Sequence, residues 1–237
     1  MKFPPGTSWA TTRVADSPGG PGEGSSRIVS SPGPGPVAER RAVFLDRDGV
    51  LVVDRDWLTR PDEVSVLPGV PGALLALASA GFVLVVVSNQ AVVARGLVDE
   101  NGIRAIHEHL DRELVRLGGV APSTYYFCPH HPSATVPEYR TACDCRKPRP
   151  GLLLRAASEL GIDLGRSYLV GDRMTDVAAG WRAGCRTILV LSGRHLAPPF
   201  ETPDPPDPDL RPDWEAEDLP AATRIILGDA HPHHEPR

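Results

Sequence analysis

Residues 42–50 read AVFLDRDGV: four apolar residues, two aspartates spaced two apart, and a glycine. An apolar run of that length between Arg41 and Asp46 suits a strand buried on both faces, as in parallel sheets. Asp46 and Asp48 then fall at its carboxyl end, where open α/β sheets bind their ligands. Two apart in extended chain they point the same way, and Gly49 lets the backbone turn tightly beside a ligand. Carboxylates so placed repel each other, and one takes up a proton unless a divalent cation joins them. Magnesium with a phosphate meets that need most simply.

Working outward, short apolar runs recur at 82–87, 125–127, 167–170 and 187–190, each bounded by Gly, Pro or charged residues. Helical periods separate them. The strongest starts at Asp99 as N-cap, carries Ile103, Ile106, Leu110, Leu114 and Leu117 at three- and four-residue steps, and stops at Gly118. Others lie near 69–80, 150–160 and 174–183, two of them closed by Gly161 and Gly184. The alternation predicts an α/β fold, a three-layer sandwich whose mainly parallel sheet has five strands or more. Only about 33 residues separate Asp48 from the second strand, too few for a large cap domain, so the pocket is expected to be open.

The flanks differ in kind. Residues 1–40 are rich in Pro, Gly and Ser and read as a disordered extension; 41–195 form the folded domain; 196–237 read as an acidic, Pro-rich tail in which ATRIILGDA offers a short added strand. The 237 residues carry a net charge of -5 and no long basic run, which argues against nucleic acid as a partner. The longest purely apolar stretch, 82–87, falls far short of the ~20 residues that span a bilayer, and the N-terminus lacks a signal pattern. A monomeric cytoplasmic protein acting on a small molecule is the expectation.

Other strand ends are polar too. GDRMTD supplies Asp172 and Asp176, SNQ supplies Ser88 and Asn89, and CRKPRPG supplies Arg146 and Lys147 just before a helix. Asp176 has two readings, a direct role or an acid complementing a helix dipole. Three of the four cysteines crowd one segment, C-P-H-H at 128–131 and C-D-C at 143–145, while Cys185 stands apart and reads as core. That is poor arithmetic for a disulfide framework. It is enough for one tetrahedral Cys3His zinc site, with His130 and His131 competing as the imidazole.

The set DRDGV, SNQ, RKP and GDRMTD resembles the haloacid dehalogenase (HAD) superfamily of phosphotransferases. Within it, VFLDRDGVL with CPHHPS and CDCRKPRPG resembles the heptose 1,7-bisphosphate and histidinol-phosphate phosphatases, over roughly residues 42–193. The resemblance implies that Asp46 is the nucleophile and Asp48 the acid and base. It implies magnesium on the side chains of Asp46 and Asp172 and on the Asp48 backbone carbonyl, with Ser88, Asn89 and Lys147 on the phosphoryl oxygens and Arg146 on the substrate. It also assigns a structural zinc to Cys128, His130, Cys143 and Cys145, whose loop forms one pocket wall.

The implied substrate is heptose 1,7-bisphosphate, cleaved at the 7-phosphate, with histidinol phosphate next. One departure stands out: Ala91 and Val92 follow SNQ where the family usually has a small polar residue and glycine, although Arg95 and Gly96 match. The competing readings are a zinc-stapled interaction module without catalysis and phosphotransfer to an acceptor other than water.

Overall fold

Seven strands make one sheet in the computed structural model, which describes residues 10–13, 40–55, 57–194 and 207–229. They are β1 (Ala10–Arg13), β2 (Ala42–Leu45), β3 (Val83–Asn89), β4 (Thr124–Cys128), β5 (Tyr168–Gly171), β6 (Arg186–Val190) and β7 (Trp214–Ala216). The spatial order is β1-β4-β3-β2-β5-β6-β7. Every pairing is parallel except that of β1, which runs antiparallel along the β4 edge with Ala10 opposite Phe127. The mainly parallel sheet of five strands or more is thus borne out with six parallel strands and β1, and β2 lies between β3 and β5, where the strand order reverses direction and ligand crevices form.

The helices are α1 (Val70–Ser79), α2 (Ala91–Ala94), α3 (Glu100–Arg116), α4 (Gly151–Leu160), α5 (Met174–Ala183) and α6 (Leu219–Asp229). They cover both faces. Alternate strand residues divide accordingly: Val43, Leu45, Leu84 and Val86 pack with Leu74, Ile103, Leu110 and Ile226, from α1, α3 and α6. Ala42, Phe44, Val85 and Val87 pack instead with Leu152, Ala156 and Ala179 of α4 and α5. Burial on both faces explains why these strands read as unbroken apolar runs. Asp99 caps α3 as its sequence predicts, with Oδ1 accepting from Gly102 N at 2.7 Å. Among the described residues no helix is long and apolar enough to cross a membrane.

The flanks need correcting where they are described. Ala10–Arg13, within the stretch read as disordered, is strand β1; residues 1–9 and 14–39 lie outside the described residues, as do 195–206 and 230–237. ATRIILGDA, read as a possible added strand, lies in helix α6 up to Asp229. Leu219, Ala222, Thr223 and Ile226 are buried at three- and four-residue steps, and that helical stripe against the sheet decides. The added strand lies just before, at Trp214–Ala216, paired to β6. The core thus continues through residues assigned to the tail.

Candidate active site

Asp46 follows β2 directly, its amide donating to Val170 O at 3.0 Å, so β5 fixes where that carboxylate begins. Asp172 follows β5 and Asp176 lies in the first turn of α5. One oxygen from each of the three carboxylates falls within 4.8 Å of the others, and all three residues are buried. Lys147, 3% exposed, reaches into this group: Nζ is 3.0 Å from Asp46 Oδ1 and 2.6 Å from Asp176 Oδ1, and donates to Val87 O at 2.8 Å. Burial alone would discharge that lysine, yet Asp176 and Asp46 outweigh it and hold its proton more tightly than usual.

Small residues make the convergence possible. Gly49 has φ +78°, and a Cβ there would lie 2.5 Å from Asp172 Oδ2; one on Gly171 would lie 2.6 Å from Asp176 Oδ2. Either substitution pushes a carboxylate out of the group. Asp172 Oδ2 accepts from Arg194 N at 2.7 Å, whereas its buried Oδ1 has no hydrogen-bond partner among the described residues. Burial first, then Asp46 and Asp176, push Asp172 up to about 7, and burial chiefly pushes Asp176 up to about 6. An unpartnered buried oxygen among crowded acids is what a hard divalent cation with oxygen ligands relieves, so the residues fit magnesium.

The Asp48 side chain belongs to a different arrangement. Arg47, 1% exposed, grips it with Nη2 at 2.8 Å from Oδ2 and Nε at 3.2 Å from Oδ1. Gln90 completes the clamp: Oε1 accepts from Arg47 Nη2 at 3.0 Å, and Nε2 donates to Asp48 Oδ2 at 3.2 Å and to Ser88 Oγ at 2.7 Å. Asn89 turns to the lysine's backbone, with Nδ2 donating to Lys147 O and Oδ1 accepting from Lys147 N, both at 3.0 Å. The carboxylate group that the fold assembles is thus Asp46, Asp172 and Asp176, with Asp48 beside it in the cleft.

Sequence reading left Asp176 between two roles and did not single out Arg47, Gln90, Asp54 or residues 192–194. Asp54 closes one side of the cleft, 2.9 Å from Arg194 Nε and 3.4 Å from Arg173 Nη2. Ser192 Oγ donates to Gly49 O at 2.7 Å, which ties the segment after β6 to the turn after β2. The available signal was positional: SGR follows an apolar run just as DRDG, SNQ and GDR do.

The cysteine loop forms the remaining wall. Cys145 Sγ lies 3.2 Å from both Cys128 Sγ and Cys143 Sγ and 3.3 Å from His130 Nδ1, while Cys128 and Cys143 are 3.5 Å apart. All four cysteines are free. The spacings come close to the ~3.8 Å edges of a tetrahedron with ~2.3 Å zinc–sulfur bonds. Burial pushes Cys128 up to about 12, while hydrogen bonds from Cys128 and Cys145 draw Cys143 down. Three thiols and an imidazole with that spacing fit zinc. His130 Nδ1 joins the thiols; His131 instead accepts from Ser133 N at 3.1 Å and lines the cleft.

The cleft holds about 190 Å³ and is lined by both carboxylate arrangements, Lys147, Trp57, Val92 and the arginines 47, 55, 95, 146, 173 and 194. Its size and its charge suit a small anion-bearing ligand. Arg146 donates from Nη1 to His130 O at 3.2 Å, and burial holds its guanidinium below the usual range against the opposing pull of the neighbouring thiols Cys128, Cys143 and Cys145.

Comparison with known proteins gives the chain its family. A HAD-hydrolase-like family model matches residues 144–222. D-glycero-beta-D-manno-heptose-1,7-bisphosphate 7-phosphatase of Escherichia coli is 42% identical over 165 residues, covering 68% of this chain and 84% of that protein. The enzyme of the same name from Photorhabdus laumondii is 42% identical over 154 residues, 65% of this chain and 81% of the relative. The crystal structure of D,D-heptose 1,7-bisphosphate phosphatase from B. bronchiseptica, complexed with magnesium and phosphate, superimposes with a TM-score of 0.67 at 34% identity, over 80% of this chain and 99% of that one. With the acidic strand ends and the thiol loop, these likenesses assign the chain to the HAD-like phosphatases, in the family of the heptose-1,7-bisphosphate 7-phosphatases.

Proposed function

We propose that this chain removes the 7-phosphate of D-glycero-D-manno-heptose 1,7-bisphosphate through a phosphorylated Asp46. The observation that carries the reading is the meeting of Asp46, Asp172 and Asp176 within 4.8 Å of one another beneath the Lys147 ammonium. Nothing in a structural core requires three buried acids and a buried lysine at the carboxyl edge of a sheet; phosphoryl transfer does.

Asp46 attacks phosphorus in line, forming one P–O bond as the bond to the sugar oxygen breaks. Asp48 gives its proton to that oxygen as it leaves, then takes a proton from the water that attacks the acylphosphate, which returns Asp46 as a carboxylate and releases phosphate. Arg47 and Gln90 hold Asp48 in place for both steps. Lys147, kept charged by Asp46 and Asp176, faces the negative charge that spreads over the phosphoryl oxygens in the transition state. Ser88 contributes a hydroxyl beside that group. Asn89 binds the Lys147 backbone on both sides and so sets the height of the ammonium. Asp46, Asp172 and Asp176 would hold magnesium, which offsets the charge of the carboxylates and the phosphate when bound.

Cys128, His130, Cys143 and Cys145 would hold zinc with all four positions filled by protein, leaving none for water, so that metal is structural. Arg146 and Lys147, the two residues that follow Cys145, would be fixed by that ligation.

Phosphate release from heptose 1,7-bisphosphate and from histidinol phosphate, each with magnesium, tests the reading. The expected result is kcat/KM at least about 100-fold higher for the heptose, a difference of about 2.7 kcal/mol in transition-state binding. A preference for histidinol phosphate, or equally slow turnover of both, overturns it.

A further inference from the structure

Arg47 and His107 are among the most deeply enclosed polar side chains of the described residues, at 1% and 0% exposure, and each carries buried nitrogens that lack a partner there. Arg47 uses Nε and Nη2 on Asp48 and Gln90, while Nη1 meets no acceptor among the described residues. His107 leaves both ring nitrogens in the same condition. Buried polar atoms are seldom left unpaired, and an ordered water is the usual partner where several of them converge.

The sheet brings the two residues to one place. Leu84, Val86 and Ser88 alternate along β3 toward the face that α1 and α3 cover, and Ser88 stands opposite Phe127 of β4. Arg47 reaches this rung from the β2 side through Gln90, which donates to Ser88 Oγ at 2.7 Å and accepts from Arg47 Nη2 at 3.0 Å. His107 reaches it from α3, its ring at 73° to Phe127 with centroids 5.8 Å apart, and stacked on Tyr125 at 4.3 Å. Burial holds His107 well below the usual histidine range, with the charges of Arg47 and Arg104 adding to the effect, so the imidazole is neutral and one of its nitrogens can only accept. Phenylalanine would pack on the same two rings without enclosing two polar atoms, so packing does not account for a histidine here.

We propose that a buried water joins the two side chains, accepting from Arg47 Nη1 and donating to the unprotonated nitrogen of His107, and that His107 is thereby a positioning residue for Asp48. Held by Asp48 and Gln90 alone, the guanidinium is fixed along one edge and can tilt with the carboxylate it grips. Tied at Nη1 as well, it sets the direction in which Asp48 presents its proton to the sugar oxygen. This rests on the role of Asp48 proposed above and adds to it a support from α3, whose residues do not line the cleft.

The test sets kcat/KM for heptose 1,7-bisphosphate against that for p-nitrophenyl phosphate, both with magnesium, in the wild-type chain, His107→Phe and His107→Gln. The sugar oxygen needs a proton from Asp48 to leave, whereas p-nitrophenolate leaves well without one, and kcat/KM reports the steps through loss of that group. His107→Phe keeps a ring on Tyr125 and loses the nitrogens, so it should lower kcat/KM for the heptose about 10-fold and that for p-nitrophenyl phosphate no more than about 2-fold. His107→Gln, whose amide oxygen can accept from the same water, should recover most of the loss. Equal falls on both substrates are what a purely structural side chain gives, and they overturn the proposal, as does full activity of His107→Phe on the heptose.

A crystal structure of the wild-type chain tests the link independently of any variant. A water within about 3.2 Å of both Arg47 Nη1 and a His107 nitrogen is expected, and its absence overturns the link even if His107→Phe fails to fold. Should the wild-type chain cleave p-nitrophenyl phosphate and not the heptose, the substrate assignment fails by itself. Glycerol 2-phosphate, another ester with a poor leaving group, then replaces the heptose in the comparison, and the same outcomes decide.

Discussion

Two clusters of metal-seeking side chains stand at one cleft, the acids opening into it and the thiols behind Arg146 and His131 in its wall, and they are built in opposite ways. The acids come from the ends of β2 and β5 and the first turn of α5: Asp46 is held by its sheet hydrogen bond to Val170, and Asp172 and Asp176 close on glycines too small to interfere. The thiols and His130 come from the end of β4 and a loop whose own short helix, Pro137–Tyr139, buries no residue. The first cluster is preassembled by the fold, and a cation bound there adds chemistry. The second sits on a loop tied to the fold by scattered bonds, Thr135 N and Val136 N to Ala94 O and Arg149 to Cys143 O among them, and a cation bound there adds structure. Removing a donor should therefore cost activity in one place and folding in the other.

The sharpest way to break the contrast is Asp46→Asn. It removes the nucleophile from a site that the sheet holds in place, so turnover should fall on the order of 10,000-fold or more while the circular dichroism spectrum and melting temperature stay close to wild type. An Asp46→Asn chain that unfolds, or that keeps a tenth of the activity, contradicts the assignment.

Cys145→Ser comes next. Cys145 lies centrally in the donor set, within 3.3 Å of His130 Nδ1 and 3.2 Å of both other thiols, and its residue precedes Arg146 and Lys147. Loss of zinc should free that loop, with activity down roughly 100-fold and proteolysis appearing between β4 and α4, because structural zinc supplies local folding free energy. Metal analysis should find one zinc per wild-type chain and none in the variant. Full activity in a zinc-free Cys145→Ser chain would show that the loop stands without its metal.

A third measurement separates the two clusters by pH. Asp172 is raised to about 7 and Asp176 to about 6, against ordinary carboxylate values near 3.8. Raised acids favour the fold while protonated, so the stability they confer is full below the unfolded value and declines as pH rises through about 6 to 7. The magnesium-free chain should lose several degrees of melting temperature, on the order of 5 °C, between pH 5 and pH 8. Magnesium should restore most of that loss at pH 8 and add little at pH 5, where protons occupy the carboxylates. A magnesium increment independent of pH would mean that the ion binds elsewhere.

How much of this was legible depended on how local each determinant is. The strands of the core were readable because both faces are buried, which leaves unbroken apolar runs, and α3 was readable from its stripe and its Asp99 cap. Asp46, Asp172 and Lys147 stood out because each follows a recognisable strand or precedes a helix. Asp176 stayed between two readings, since a first-turn acid complements a helix dipole as well as it grips a lysine, and only the fold brings Lys147 to 2.6 Å. Helix α6 was read as a short strand, because its buried steps at Leu219, Ala222, Thr223 and Ile226 become decisive only against the sheet they pack on. Strand β1 carries no hydrophobic signal in ATTR; it is an edge strand, fixed by pairing to β4 rather than by its own composition. Gln90 was hidden for another reason. A glutamine has no preferred chemistry, and its meaning lies wholly in what surrounds it.

That makes Gln90 the finest probe of how rigidly the acidic side is assembled. Its amide touches three groups at once, accepting from Arg47 Nη2 and donating to Asp48 Oδ2 and Ser88 Oγ, at 3.0, 3.2 and 2.7 Å. Arg47 continues to grip Asp48 without it, through contacts of 2.8 to 3.2 Å, so the acid is loosened rather than lost. Gln90→Ala should therefore lower kcat about 10-fold, equivalent to one hydrogen bond to a charged group at about 1.4 kcal/mol, with KM little changed. Gln90→Glu presents an acceptor where Asp48 needs a donor and sets a like charge beside it, so it should be worse than alanine despite its shape. The ranking, alanine above glutamate, is what separates a residue that orients Asp48 from one that fills space, since a space-filling role would favour the isosteric glutamate.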